Sequence, residues 1–425
     1  MNTLVKKPPQ IGQIREKCKE SYITNIQDIA SMYHQQKNIQ IKDGTLCYEM
    51  ITEKGSSAVG VMTHYSTKEQ QESIIWSINH YLALNRHPKV IESAKKALDE
   101  YGAGCGTSAI SGGHNRLHKD LEERLAKLFQ KERAVLFSTG YSANVGAISA
   151  LAKGKNSLIL FDRESHASII DGCRLAGCKY LPFRHNSMND LERKLKRYGS
   201  KYDNVFVIVE SVYSMSGNHA PLSELVKLRL QYKFLLFVDE AHSFGIYGKD
   251  GAGRCQELGL SDDVDFIMTT LSKSTASIGG VVVAKKEFIT LIQSQANAYM
   301  FQASLPPADT AVVLTALDII RDEKTIVESL WKNTDYFRSK VKKMGFDIGI
   351  GQSPIIPIYI RDIDILLSMG KDMLNQGIFT TSVTYPAVHQ NEGRFRFILN
   401  ASHTKEHIDK TLDVLEALGV RYEVI

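Results

Sequence analysis

The chain has 425 residues, 43% of them hydrophobic and 23% charged, which is enough apolar matter for about two to three domains and excludes a disordered, collagenous or coiled-coil architecture. The 52 basic residues exceed the 47 acidic ones by only five, too small and scattered an excess for a nucleic-acid footprint. No apolar run approaches the roughly 20 residues that span a bilayer, and the opening MNTLVKKPPQ lacks the apolar stretch of a secretory signal, so the cytoplasm is the expected compartment.

The six cysteines, Cys18, Cys47, Cys105, Cys173, Cys178 and Cys255, form neither a C-x-x-C pair nor a zinc spacing. Free thiols and no metal are expected. Residues 1 to about 70 are polar and mixed. Residues 25–40 fit a helix and Lys42-Asp-Gly44 a turn, but no strand run stands out. From about residue 75 the texture changes. Ala134–Phe137, Ser157–Phe161, Val205–Val209, Phe234–Val238, Phe266–Met268 and Gly280–Ala284 are short continuous apolar runs, the pattern of strands buried on both faces. Amphipathic stretches such as Leu117–Leu128 and Leu222–Gln231 alternate with them, which predicts an α/β fold with a mostly parallel sheet. A break comes at Leu305-Pro-Pro307. Residues 308–345 then form one or two long helices, and β-like runs at 353–360, 377–381 and 394–399 alternate with helices in a smaller C-terminal α/β domain. The expected division is an N-terminal segment 1–75, a large domain 76–307 and a small domain 308–425.

Ligands of such sheets sit beyond the C-terminal strand ends, so the residues just after each strand carry the chemistry. Phe137-Ser-Thr-Gly-Tyr-Ser-Ala-Asn144 joins a strand to a helix start through small residues, a geometry that offers backbone N–H groups to a phosphate. Phe161-Asp-Arg-Glu-Ser-His-Ala-Ser168 places His166 after a strand. Phe237-Val-Asp-Glu-Ala-His-Ser243 contains the letters of a helicase DEAH box, but the chain has no G-x-x-x-x-G-K-[ST] phosphate loop. Thr270-Leu-Ser-Lys-Ser274 puts Lys273 in a polar loop between apolar strands. A reactive lysine, a carboxylate and a phosphate-binding turn are what pyridoxal phosphate requires.

Those segments, in order with Asn79-His-Tyr-Leu-Ala-Leu84, Tyr101-Gly-Ala-Gly104, Tyr213-Ser-Met215, Ser304-Leu-Pro-Pro307, Arg394-Phe-Arg396 and His403-Thr404, resemble the α-oxoamine synthases. These are fold-type I pyridoxal phosphate (PLP) enzymes, with a mostly parallel large-domain sheet and a smaller C-terminal α/β domain. Asp171-Gly-Cys-Arg-Leu175, Leu330-Trp-Lys-Asn-Thr-Asp335 and Ser353-Pro-Ile-Ile-Pro357 look most like the bacterial serine palmitoyltransferase branch. The resemblance implies a decarboxylative condensation of a small amino acid, with serine leading, and an acyl thioester, with long-chain acyl-CoA leading. Glycine, alanine or another amino acid is the alternative, as is an aminotransferase on the same fold. It implies that Lys273 is the Schiff-base lysine, that Asp239 meets the pyridine nitrogen, that His242 and Ser214 meet the ring hydroxyl, and that His166 stacks on the ring. Thr139, Gly140, Tyr141 and Thr270 would make phosphate and ring-edge contacts. Ala303 and Ser304 would reach the partner's phosphate in a homodimer with shared active sites. Arg396 would hold the amino-acid carboxylate, and Asn79 would lie on the substrate side.

The sequence departs from the family at Cys105–His114, where Ala109 replaces a usual arginine and His114 a usual threonine. His114 is a substrate contact or a surface histidine. Another departure is Ser382-Val-Thr-Tyr-Pro-Ala-Val388, which lacks the arginine some serine palmitoyltransferases carry there. The N-terminal segment is about 30 residues longer than usual; a dimer arm, a membrane-surface element and a segment without function are its three readings.

Overall fold

The computed structural model describes residues 11–46 and 49–425; Cys47 and the opening MNTLVKKPPQ lie outside them. Two compact units emerge. One comprises Asn79–Leu330. The other joins the residues up to Ile78 to Trp331–Ile425.

The unit Asn79–Leu330 is built on a seven-stranded sheet. In chain order its strands are β1 (Arg133–Phe137), β2 (Ser157–Asp162), β3 (Lys179–Phe183), β4 (Asn204–Glu210), β5 (Leu235–Asp239), β6 (Phe266–Thr270) and β7 (Gly280–Ala284). Their spatial order is β1-β7-β6-β5-β4-β2-β3. β7 runs antiparallel to both its neighbours and the pairings from β6 to β3 are parallel. β3, on the sheet edge, is not among the expected strands: its short run Lys179-Tyr-Leu-Pro-Phe183 is interrupted by a proline and opens on a lysine. Continuous apolar runs are needed because successive side chains leave a strand on opposite faces and both faces are covered. Leu158, Leu160, Val205, Val207, Leu236 and Val238 feed one core. Ile159, Phe161, Phe206, Ile208 and Phe237 feed the other. The strand ends after β1, β2, β4, β5 and β6 carry the polar segments singled out above.

Gly140 and Gly280 let the turn after β1 press against the sheet. A Cβ on Gly140 would come within 2.7 Å of the Thr270 Cβ, and one on Gly280 within 2.5 Å of the Thr139 carbonyl. Thr139 caps the helix Gly140–Leu151 by accepting from the Ser142 N–H, and the Ser142 hydroxyl accepts in return from the Thr139 N–H. The N–H groups of Gly140 and Tyr141 have no acceptor within the helix by its geometry.

The second unit corrects the expectation that the N-terminal region holds no strands. Met50–Thr52, Val59–His64 and Gln70–Ile75 form an antiparallel meander whose last strand pairs in parallel with Ile378–Phe379. Alternation is weak there because burial changes along the strands rather than across them: the first halves of Val59–His64 and Gln70–Ile75 are at most partly buried and the second halves are buried. A second sheet of Ile355–Arg361, Gly393–Ile398 and Thr381–Val383 carries Arg396, which is buried. The helix Ile14–Glu20 docks on the tip of the hairpin 381–398, where Glu16 accepts from the Tyr385 hydroxyl at 2.8 Å and the Gln390 amide at 3.0 Å. No helix among the described residues is long and apolar enough to cross a membrane.

Candidate active site

A cavity of about 320 Å³ opens at the C-terminal ends of β4, β5 and β6, lined among others by Thr139, Gly140, Tyr141, His166, Asp239, His242, Thr270 and Lys273. Its size falls in the small-molecule range. Eight residues singled out from sequence thus meet in one place, although they span 135 positions from Thr139 to Lys273.

Each is set by the element that ends beside it. Asp239 is the last residue of β5 and buried. Its carboxylate accepts from the Asn144 amide at 2.8 Å and the Ala241 N–H at 2.9 Å. Lys273 Nζ lies 2.9 Å from His242 Nε2, and the Tyr81 hydroxyl lies 2.7 Å from His242 Nδ1. The imidazole therefore bridges a buried phenol and the lysine. Thr270 at the end of β6 places its hydroxyl 2.7 Å from Ser272 Oγ.

His166 caps the helix Ala167–Ala176. Asn144 spends its second amide hydrogen on Ser168 Oγ at 3.0 Å, which leaves the serine hydrogen for His166 Nδ1, 2.7 Å away. The Ser168 N–H also points at Nδ1. These donors assign Nδ1 as acceptor and put the proton of the neutral ring on Nε2. Burial holds this imidazole below its usual pKa; Asp239 pulls it upward and Lys273 adds to the lowering. Glu210, the last residue of β4, also lines the cavity and is buried. It accepts the His166 backbone N–H at 2.5 Å. Burial first, and then Asp239, push its carboxyl well above the usual range.

Ser214 follows β4 but is not among the residues lining the cavity. Ala303, Ser304 and His114 gather in a neighbouring group. The Ser138 hydroxyl donates to the Ala303 carbonyl at 2.6 Å, the Ser304 N–H donates to the Thr107 carbonyl at 3.1 Å, and His114, Ala109 and Ser304 face one small gap. His114 is half-buried rather than a surface side chain and stacks on His118 with ring centroids 4.8 Å apart. Asn79 opens the large unit, and Arg396 belongs to the other.

The residues present fit PLP. An amine, a buried carboxylate already holding two donors, and a helix start with two free N–H groups border one cavity of suitable volume. Sequence reasoning gave no role to Asn144, Ser168 and Tyr81, although they lie in segments it singled out, and passed over Glu210. Glu210 obeyed the rule that singled out Asp239, an acidic residue closing an apolar strand. Asn144 and Ser168 gave no comparable signal, because small polar residues in helices are common.

Residues 71–415 match the family model of aminotransferase class I and II. The chain is 41% identical over 351 residues to serine palmitoyltransferase of Sphingobacterium spiritivorum, covering 83% of this chain and 88% of the relative. It is 36% identical over 355 residues to 8-amino-7-oxononanoate synthase of Thermoanaerobacter pseudethanolicus, covering 84% and 90%. Among solved structures it superposes on Sphingomonas wittichii serine palmitoyltransferase with a TM-score of 0.88 at 31% identity, over 95% of this chain and all of that one. A serine palmitoyltransferase from S. paucimobilis, solved with PLP and myriocin bound, gives 0.89 at 29% identity over the same shares. The chain belongs to the α-oxoamine synthase family within aminotransferase class I and II, and is a PLP-dependent acyltransferase that condenses an amino acid with an acyl thioester.

Proposed function

We propose that the enzyme condenses L-serine with a long-chain acyl-CoA, releasing CO2, free thiol and an α-amino ketone. The observation that carries this is the 41% identity to a serine palmitoyltransferase over 83% of the chain, together with the fit of the cavity to the cofactor.

When bound, PLP supplies an electron sink for the carbanion formed at the amino-acid Cα. The chain's own groups do the rest. Lys273 would hold the cofactor and would also be the amine that takes and returns the Cα proton, a general acid–base role. The Tyr81–His242 pair holds the imidazole against Lys273 Nζ, so a proton leaving the amine has an acceptor in hydrogen-bond reach. Asp239, fixed by Asn144 and Ala241, would face the pyridine nitrogen. The N–H groups of Gly140 and Tyr141, with Thr139 and Thr270, receive the phosphate at a helix N-terminus. His166, held by Ser168 and Glu210, presents its ring to the cofactor face, and Ser214 assists His242 at the ring hydroxyl. Arg396 would take the substrate carboxylate, since a guanidinium binds a carboxylate with two parallel hydrogen bonds, and Asn79 would serve the substrate. Ala303 and Ser304 serve the partner's phosphate in a homodimer, and His114 borders the acyl-thioester side.

A second reading, the same condensation with another small amino acid, is favoured by the 36% identity to an 8-amino-7-oxononanoate synthase. A matrix of small amino acids against acyl thioesters, scored by thiol and CO2 release, tests both. Release with serine and a long-chain acyl-CoA is expected. No release with that pair, and release with alanine or glycine, would replace the first reading by the second. Amino transfer to an oxo acid without thioester would remove both.

A further inference from the structure

Glu210 is unusual in a cavity that already holds a carboxylate. β4 and β5 pair in parallel, and Glu210 is the register partner of Asp239. Register partners leave a sheet on the same face about 5 Å apart. Two buried carboxyls on neighbouring strands, close enough for each to act on the other's charge, do not both ionise readily, and the proton settles on the one with fewer donors. The donors are unequal. Asp239 accepts from Asn144 and Ala241, and the pyridine nitrogen adds a third when the cofactor is bound. Glu210 accepts from the His166 N–H alone among the bonds found for it.

We propose that Glu210 is a positioning residue, held as a neutral acid beside Asp239: one carboxyl oxygen fixes the backbone of His166, and its proton keeps a second negative charge out of the cofactor cavity. The groups that face it fit this assignment. Asp239 and, more weakly, Asp162 at the end of β2 disfavour its ionisation, and only Lys273 and the His166 N–H favour it. Tyr213, buried on the segment after β4, also faces it as a neutral phenol whose own pKa is raised by burial, Asp162 and Glu210. Asp162 already has His185 at 3.0 Å and the N–H groups of Glu164 and Asn186 as partners, more than the single N–H that Glu210 holds. The inference rests on the cofactor assignment and not on which amino acid or thioester is used, so its tests use neither substrate.

A neutral acid is mimicked by an amide. E210Q should bind PLP within about threefold of the wild type, whereas E210A should lose about tenfold or more, the scale of one buried hydrogen bond. Equal losses in E210Q and E210A would overturn the proposal. At neutral pH a protonated-carboxyl band in infrared spectra of the wild-type apoprotein should lose intensity in E210Q, and the remainder should belong to Glu122, whose pKa is raised to about 7. Identical spectra would overturn it. The Tm of the apoprotein supplies a third readout. A group whose folded pKa is raised gives stability that is fully present below the unfolded value near 4.5 and is lost as pH rises through the folded value. The wild type should therefore fall relative to E210Q between pH 5 and 8, and a constant Tm difference over that window would overturn the proposal.

Discussion

Two buried titratable clusters in the unit Asn79–Leu330 handle charge in opposite ways. Around the cavity each group has polar partners: Asp239 accepts from Asn144 and Ala241, and Lys273 Nζ lies within hydrogen-bond reach of His242. Beneath the loop 105–114, His114, His118, Glu122 and Tyr299 are packed without a comparable counter-charge. Burial lowers His114 to about 4, aided by His118 and Lys119, and lowers His118 as well. Burial lifts Glu122 to about 7, against the pull of Lys119 and the Leu136 N–H, and Glu122 Oε1 is left without a hydrogen-bond partner. His118 donates from Nε2 to the Leu305 carbonyl at 2.8 Å and accepts the Asn115 N–H on Nδ1, so it serves as a neutral strut. One cluster surrounds a cavity with polar groups that have partners, Glu210 being its neutral acid, and the other neutralises its groups and holds two chain segments together.

The contrast can be broken or sharpened by substitution. K273A should produce the largest effect, a fall in condensation on the order of 10⁴-fold, the upper range for a proton-transferring group, together with loss of the visible absorbance of the lysine-bound cofactor. Unchanged absorbance would remove the assignment of Lys273. D239N should lower activity by on the order of 10²-fold, because an amide does not keep the pyridine nitrogen protonated. Full activity in D239N would place the two clusters on the same footing.

E122Q probes the other side of the comparison through pH. The folded pKa of Glu122 is raised, so its contribution to stability is complete below about pH 4.5 and drains away as pH rises through about 7. Denaturant titrations should show the wild type losing on the order of 3 kcal/mol relative to E122Q between pH 4.5 and 8; no pH-dependent difference would mean that Glu122 is charged in the fold. The mildest effect is expected of T139A. Removing the cap of Gly140–Leu151 should cost about 1 kcal/mol of stability and weaken PLP binding, read as a lower denaturation midpoint and a higher dissociation constant.

Legibility in the sequence followed burial. The strands β1, β2, β4, β5, β6 and β7 were visible because burial on both faces demands unbroken apolar runs. The edge strand β3 and the meander 50–75 were not, since half-exposed strands tolerate any residue where they are open. Lys273, Asp239 and His166 were visible as polar residues interrupting apolar texture at strand ends. Glu210 followed the same rule and was overlooked because nothing next to it in sequence suggested a partner; Asp239 lies 29 positions away and becomes its neighbour only through the pairing of β4 with β5.

The sequence by itself determined the chemistry on offer: a lysine, a carboxylate and a small-residue turn at the ends of apolar strands, in an order that marks the family. It did so because strand burial and turn geometry are local requirements written in local residue types. Only the tertiary structure decided which of those groups face one another. The register of β4 on β5 put two carboxyls side by side, Asn144 on its helix linked Asp239 to His166 through Ser168, and Tyr81 came 161 positions along the chain to meet His242. Those pairings depend on distance through space, which sets both hydrogen bonding and the cost of burying charge, and no spacing along the chain encodes it.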